Sequence, residues 1–171
     1  WLERNPGQFW LHVCWCHFLQ LEQSTNLLLL VWELALKDNF WVCREMALDE
    51  LKEKDSLIIS RFLPDIQKMA ISDSNPSVRK AALEILSQIQ FKEKKEILLR
   101  AMKDSSLAAS SQAYRQYFVE EFDDADEKRK ELEQDSSNDY QSILAEYYAS
   151  RQGKESFDWF KAKLQQPEGS S

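Results

Sequence analysis

Asp73-Ser-Asn-Pro-Ser-Val-Arg79-Lys-Ala-Ala82-Leu-Glu-Ile-Leu86 is the stretch whose reading decides the fold. An aspartate or serine at the start of a helix accepts bonds from its unpaired N–H groups and suits the positive end of the dipole. Pro76 fits a first helical position, where its missing N–H costs nothing. Beyond it Val78, Ala82, Ile85, Leu86 and Ile89 fall on one face at helical spacing. The alanines let a neighbouring helix approach closely.

Working outward, the aspartate recurs. Asp38-Asn-Phe-Trp, Asp73-Ser-Asn-Pro, Asp104-Ser-Ser-Leu and Asp135-Ser-Ser-Asn lie 35, 31 and 31 residues apart. Nine residues after each come Ala47, Ala82, Ala113 and Leu144, and thirteen after come Leu51, Leu86, Tyr117 and Tyr148. Three before come Ala35, Ala70, Ala101 and Leu132. Three small or apolar columns in register over four units mark an internal repeat, each unit reading as helix, short Asp/Ser turn, helix.

The expected helices are 9–21, 27–36, 40–53, 57–71, 76–90, 93–103, 107–121, 125–134, 138–150 and 154–165. One such pair cannot bury its own apolar face, so neighbours stack, and the fold class expected is an all-α solenoid of antiparallel helix pairs. Three glycines and four prolines agree with long helices and short connections. The expected organisation is a divergent N-terminal flank over 1–26, a repeat domain over 27–165 and a frayed tail over 166–171. The chain opens on Trp1 with no signal-peptide pattern, which reads as a fragment of a longer protein.

The Asp73 stretch resembles the second helix of the HEAT repeat family: an aspartate, a proline, then Val-Arg, then alanine and leucine. Arg44, in Asp38-Asn-Phe-Trp-Val-Cys-Arg44-Glu-Met-Ala47, stands where Arg79 does, while Ser110 and Gln141 occupy that place in the last two units. Lys37 to Arg44, the Asp73 unit, Glu133 to Tyr140, Ile143 to Tyr148 and Phe157-Asp-Trp-Phe160 also follow one another in a familiar order. In that order they look like the C-terminal helical region of bacterial zinc aminopeptidases related to aminopeptidase N. That resemblance, over about residues 27–165, implies a non-catalytic domain packing on a catalytic domain elsewhere in the protein and shaping peptide access. Zinc is then expected only in that other domain.

The residues themselves supply no catalytic centre. Zinc peptidases need two histidines at i and i+4 with a glutamate between; here His12 and His17 are five apart and no glutamate intervenes. The family's Gly-x-Met-Glu-Asn substrate strand is missing too. His12, Cys14, Cys16 and His17 are wrongly spaced for a zinc knuckle and read as helix packing beside Trp15 and Phe18. The acidic run Glu120, Glu121, Asp123, Asp124, Asp126 and Glu127 lacks the glycine of a calcium loop and reads as a solvated inter-helix loop, partly balanced by Lys128, Arg129 and Lys130. No nucleophile elbow occurs, and Cys43 has no histidine near it in sequence.

A formal charge of −7 argues against a nucleic-acid partner or an anionic membrane surface. The apolar stretch Phe9 to Leu36 is interrupted by polar residues and reads as two buried helices rather than a span. Three cysteines, Cys14, Cys16 and Cys43, two of them only one residue apart, make no disulfide framework and leave the compartment open, cytoplasm or periplasm, for a chain expected to be soluble. Tyr114, Tyr117, Phe118, Tyr140, Tyr147, Tyr148, Phe157 and Phe160 form an aromatic column, expected to be core rather than the lining of a peptide-binding concavity. The expectation is thus a domain with no catalytic, cofactor or metal residue. Its partner is a catalytic domain of the same protein or, as the alternative, a protein or peptide held on the concave face of a free-standing scaffold.

Overall fold

The computed structural model describes residues 25–134, 138–151 and 153–165. The helix expected over 9–21, most of the flank 1–26 and the tail 166–171 lie outside the described residues. Among the described residues the chain is helical, with no strand. It divides into two compact units, with the sequence boundary between Ile89 and Gln90.

The first unit holds α1 (Thr25–Ala35), α2 (Trp41–Lys52), α3 (Ser56–Arg61), α4 (Leu63–Ser72) and α5 (Pro76–Ser87). α1 packs on α2, α4 on α5, and α5 lies against α2. The single helix expected over 57–71 is in fact α3 and α4, broken at Phe62, whose φ of −101° and ψ of 4° leave the helical region. Pro64 is the cause: it has no N–H to reach back one turn, and its ring would strike the carbonyl there. Phe62 is buried all the same, edge-on to Trp32 with centroids 6.3 Å apart.

The second unit holds α6 (Lys94–Ala101), α7 (Leu107–Val119), α8 (Ala125–Glu133), a 3-10 turn (Asn138–Tyr140), α9 (Gln141–Ser150) and α10 (Lys154–Leu164). α7 packs on α6 and α9, and α9 also meets α8 and α10. Gly153 precedes α10 with φ 152°, a conformation that favours a residue without Cβ.

All twelve positions of the three repeat columns are buried, from Ala47, Ala82 and Ala113 at 0 % exposure to Ala35 at 5 %. Burying each large apolar side chain among them contributes about 1.5–3 kcal/mol. The repeat aspartates act differently from the helix caps expected. Among the described residues, Asp38, Asp73 and Asp104 each stand two residues before the cap, and Oδ1 accepts from the next-but-one N–H: Phe40 at 2.7 Å for Asp38, Asn75 at 2.9 Å for Asp73, Ser106 at 2.7 Å for Asp104. Their own N–H groups close the preceding helices on Ala35, Met69 and Ala101 carbonyls at 3.1, 3.2 and 3.0 Å. The aspartate therefore joins two helices, and α2, α5 and α7 each start three residues after it because the intervening cap residue is extended.

Candidate protein-interaction groove

The second helices of successive pairs carry comparable positions near the surface, some exposed and some buried. Eleven residues after the repeat aspartates stand Asp49, Glu84, Arg115 and Glu146; fourteen after stand Lys52, Ser87, Phe118 and Ala149. In the first unit Lys52 Nζ reaches Glu84 Oε2 at 2.7 Å, joining α2 to α5 with a surface ion pair. In the second unit Phe118 occupies the lysine's place and offers no charge to Glu146.

A groove of about 330 Å3 opens there between α7 and α9. Its floor is apolar: Phe118, Ile143 and Tyr147 are buried, with Phe118 edge-on to Tyr147 at 4.9 Å. Val119, 76 % exposed, forms an apolar lip. Arg115 and Arg151 stand on its walls with Glu146, Glu121 and Ser150. Arg115 Nε donates to Glu146 Oε2 at 2.8 Å, and the Arg151 guanidinium lies 4.0 Å from the Tyr147 ring centroid. Glu121 has φ 51°, the left-handed turn that ends α7.

Behind the groove, the acidic run is less of a free solvated loop than its sequence suggested. Glu120 pairs with Lys94, 3 % exposed, and accepts from the Gln90 and Gln116 amides at 3.0 Å each. Burial alone would raise its carboxyl; the Lys94 ammonium and the two amides outweigh burial and hold it below the usual carboxylate range. Asp124 accepts from Tyr117 Oη and from Lys95 Nζ, the latter at 2.9 Å, and Asp126 accepts from Tyr147 Oη at 2.5 Å. Glu121, Asp123 and Glu127 remain exposed.

Arg129, read from sequence as a balancing surface charge, is 5 % exposed. Its Nη1 donates to both oxygens of Glu133, at 3.0 and 2.9 Å, and to Tyr148 Oη at 2.5 Å, while Nη2 lies 3.1 Å from Glu155. Burial pushes the hydroxyls of Tyr117, Tyr147 and Tyr148 up, helped by their carboxylate partners, that of Tyr147 to about 12.

The aromatic column divides. Tyr117, Phe118, Tyr147 and Tyr148 are core, and Tyr114 and Tyr140 are half-buried with centroids 5.4 Å apart. Phe157 at 65 % and Phe160 at 37 % exposure are not core, contrary to expectation. The docked face of α10 is instead that of Trp159, stacked on Tyr148 at 4.9 Å.

Of the other residues weighed for chemistry, His12, Cys14, Cys16 and His17 lie outside the described residues. Cys43 is buried in α2. Among the described residues no three His, Cys, Asp or Glu side chains are grouped to hold a metal ion, and no helix is long and apolar enough to cross a membrane. A larger hollow of about 540 Å3 in the first unit is lined by Asp38, Arg44, Asp65 and Asp73 among others. It is polar, and its deepest charges bind one another: Arg44 Nε and Nη2 donate to Asp73 at 2.7 and 2.8 Å.

No curated protein and no solved structure gives a match to the chain. The family described as HEAT repeats matches residues 29–115, just over half of the 171 residues. With helix pairs in register and every repeat column buried, the chain belongs to the HEAT repeat family and to the all-α solenoid class.

Proposed function

We propose that this chain is a non-catalytic helical-repeat scaffold whose work is to hold a protein or peptide partner. The observation that carries the reading is the groove between α7 and α9, where an apolar floor meets walls that carry Arg115 and Arg151 beside Glu121 and Glu146. Aromatic and arginine side chains dominate binding energy at protein interfaces. HEAT repeats commonly mediate association between proteins, which favours the same reading.

A photo-crosslinking residue placed at Val119, with a control at exposed Leu57 on the other unit, tests it in cells. A defined partner captured at Val119 and absent from Leu57 is the expected result. Capture equal at both sites, or at neither, removes the support.

The finer reading is a C-terminal domain of a zinc aminopeptidase, packing on a catalytic domain. It is supported by the order of the Lys37–Arg44, Asp73, Glu133–Tyr140 and Phe157–Phe160 phrases alone. The contiguous gene upstream of Trp1 decides it: an HExxH helix followed by a glutamate establishes the peptidase parent, and more helix pairs without one discard it. Either reading has this chain carry no chemistry or cofactor of its own, and chelator-sensitive hydrolysis of an aminoacyl substrate by the purified chain would sink that.

A further inference from the structure

Resting on the scaffold reading, we propose that the groove between α7 and α9 takes a peptide segment bearing one apolar side chain next to a carboxylate. The apolar side chain enters over Phe118, Ile143 and Tyr147, and the carboxylate meets Arg151 and Arg115.

The wall carries charges of both signs, so the sign of the ligand has to be argued. The arginines are the more withdrawn pair: the side chains of Arg115 and Arg151 are 35 % and 37 % exposed. Glu146 and Glu121 are 56 % and 77 % exposed and therefore well hydrated. A charge nearer the low-dielectric floor attracts an arriving counter-charge more strongly than a hydrated one does.

Preorganisation points the same way. Arg151 is held against the Tyr147 ring, centroid 4.0 Å away, before any ligand arrives. Its ion partner Glu121 stands 3.9 Å off, outside hydrogen-bond distance. A planar guanidinium so placed suits a carboxylate at two points, as an ammonium does not. The Arg115–Glu146 contact is a solvent-exposed pair, weakly held, and exchanges readily for a ligand carboxylate.

The apolar half of the site comes from the repeat position at which Phe118 replaces Lys52. The α2–α5 pair closes that position with the Lys52–Glu84 bridge; the α7–α9 pair leaves it as a hollow of about 330 Å3, with Val119 at its lip.

The test is selection of displayed random peptides on the full chain, then fluorescence anisotropy of the recovered peptides against three surface variants. Arg115→Glu, Arg151→Glu and Val119→Asp change exposed or half-exposed side chains, and circular dichroism verifies their helix content. The expected result is peptides with a Leu, Phe or Met beside Asp or Glu, bound about tenfold or more weaker by each variant. Lys-substituted versions of those peptides regain affinity for Arg151→Glu. Recovered peptides insensitive to all three variants overturn the groove assignment and leave the scaffold reading standing. Basic peptides lost on Glu121→Lys and Glu146→Lys overturn the carboxylate assignment. No recovered peptide at all overturns both.

Discussion

Arg44 of one helix pair grips Asp73 of the next at two points, Nε to Oδ2 at 2.7 Å and Nη2 to Oδ1 at 2.8 Å, while its Nη1 donates to the Asp38 carbonyl at 2.7 Å. Both side chains are nearly withdrawn from water, 11 % and 7 % exposed. Removing one leaves the other charged and unpaired, so Arg44→Ala should cost about 3 kcal/mol or more in urea unfolding. Arg44→Lys should recover only part, because an ammonium cannot make the two-point contact. A loss below about 1 kcal/mol for Arg44→Ala would mean the pair is no more than a surface ion pair.

Glu121 pays for its left-handed backbone. Its φ of 51° ends α7 where glycine is the usual residue, and its side chain is 77 % exposed. Glu121→Gly should therefore stabilise the chain by about 0.5–1 kcal/mol, with little loss from the 3.9 Å contact to Arg151. Thermal unfolding checks it, and a lower midpoint would show that Glu121 holds something the backbone argument omits.

Glu120 makes the second unit sensitive to acid. Its folded carboxyl is held down, against the upward push of burial, chiefly by Lys94 and the Gln90 amide. A depressed folded value stabilises fully above the unfolded value of about 4.3 and is lost as pH falls through the folded value. Asp124 and Asp126, held down first by the Tyr117 and Tyr147 hydroxyls, add in the same direction. The unfolding midpoint should drop between about pH 5 and about pH 3, and Glu120→Gln should lower it at neutral pH yet flatten that drop. An unchanged acid slope in the variant would remove Glu120 as its source.

The repeat was legible because its columns are spaced along one helix face and are filled by small or apolar residues, whichever partner covers them. Ala47, Ala82 and Ala113 therefore read correctly as core, and all have 0 % exposure. What failed was partner-dependent. Arg129 lies in a run of charges, and only the fold brings Tyr148 and Glu155 to it. Phe157, Phe160 and Leu164 share helical spacing, yet α10 docks by Trp159 because stacking on Tyr148 decides the face. The break at Phe62 was written in the sequence by Pro64, but the apolar run around it masked the signal. The groove had one sign, Phe118 at the position where Lys52 stands in an earlier pair.

Alkali should act on the same unit from the other side. Burial, then the carboxylate partners, raise the hydroxyls of Tyr117, Tyr147 and Tyr148, that of Tyr147 to about 12. An acid whose folded value is raised contributes stability that is complete below the unfolded value, about 10 for tyrosine, and is lost as pH rises through the folded one. Absorbance at 295 nm should show these three ionising late, together with loss of helix. Ordinary ionisation near pH 10 with the helices intact would contradict their burial.

Arg129 ties α10 to the rest of its unit. That helix has no buried residue of its own and is held by Trp159 against Tyr148 and by Glu155, 3.1 Å from Arg129 Nη2. Arg129 also fixes Tyr148 through its hydroxyl and Glu133 through both carboxylate oxygens. Segments with little buried apolar surface open first, so the tie should decide how often α10 leaves. In Arg129→Gln the amides of 157–164 should exchange at least about tenfold faster, equivalent to about 1.4 kcal/mol, while those of α7 keep their protection. Equal acceleration across α7 and α10 would show that Arg129 supports the whole unit. No acceleration in α10 would leave the Trp159 stack as its anchor.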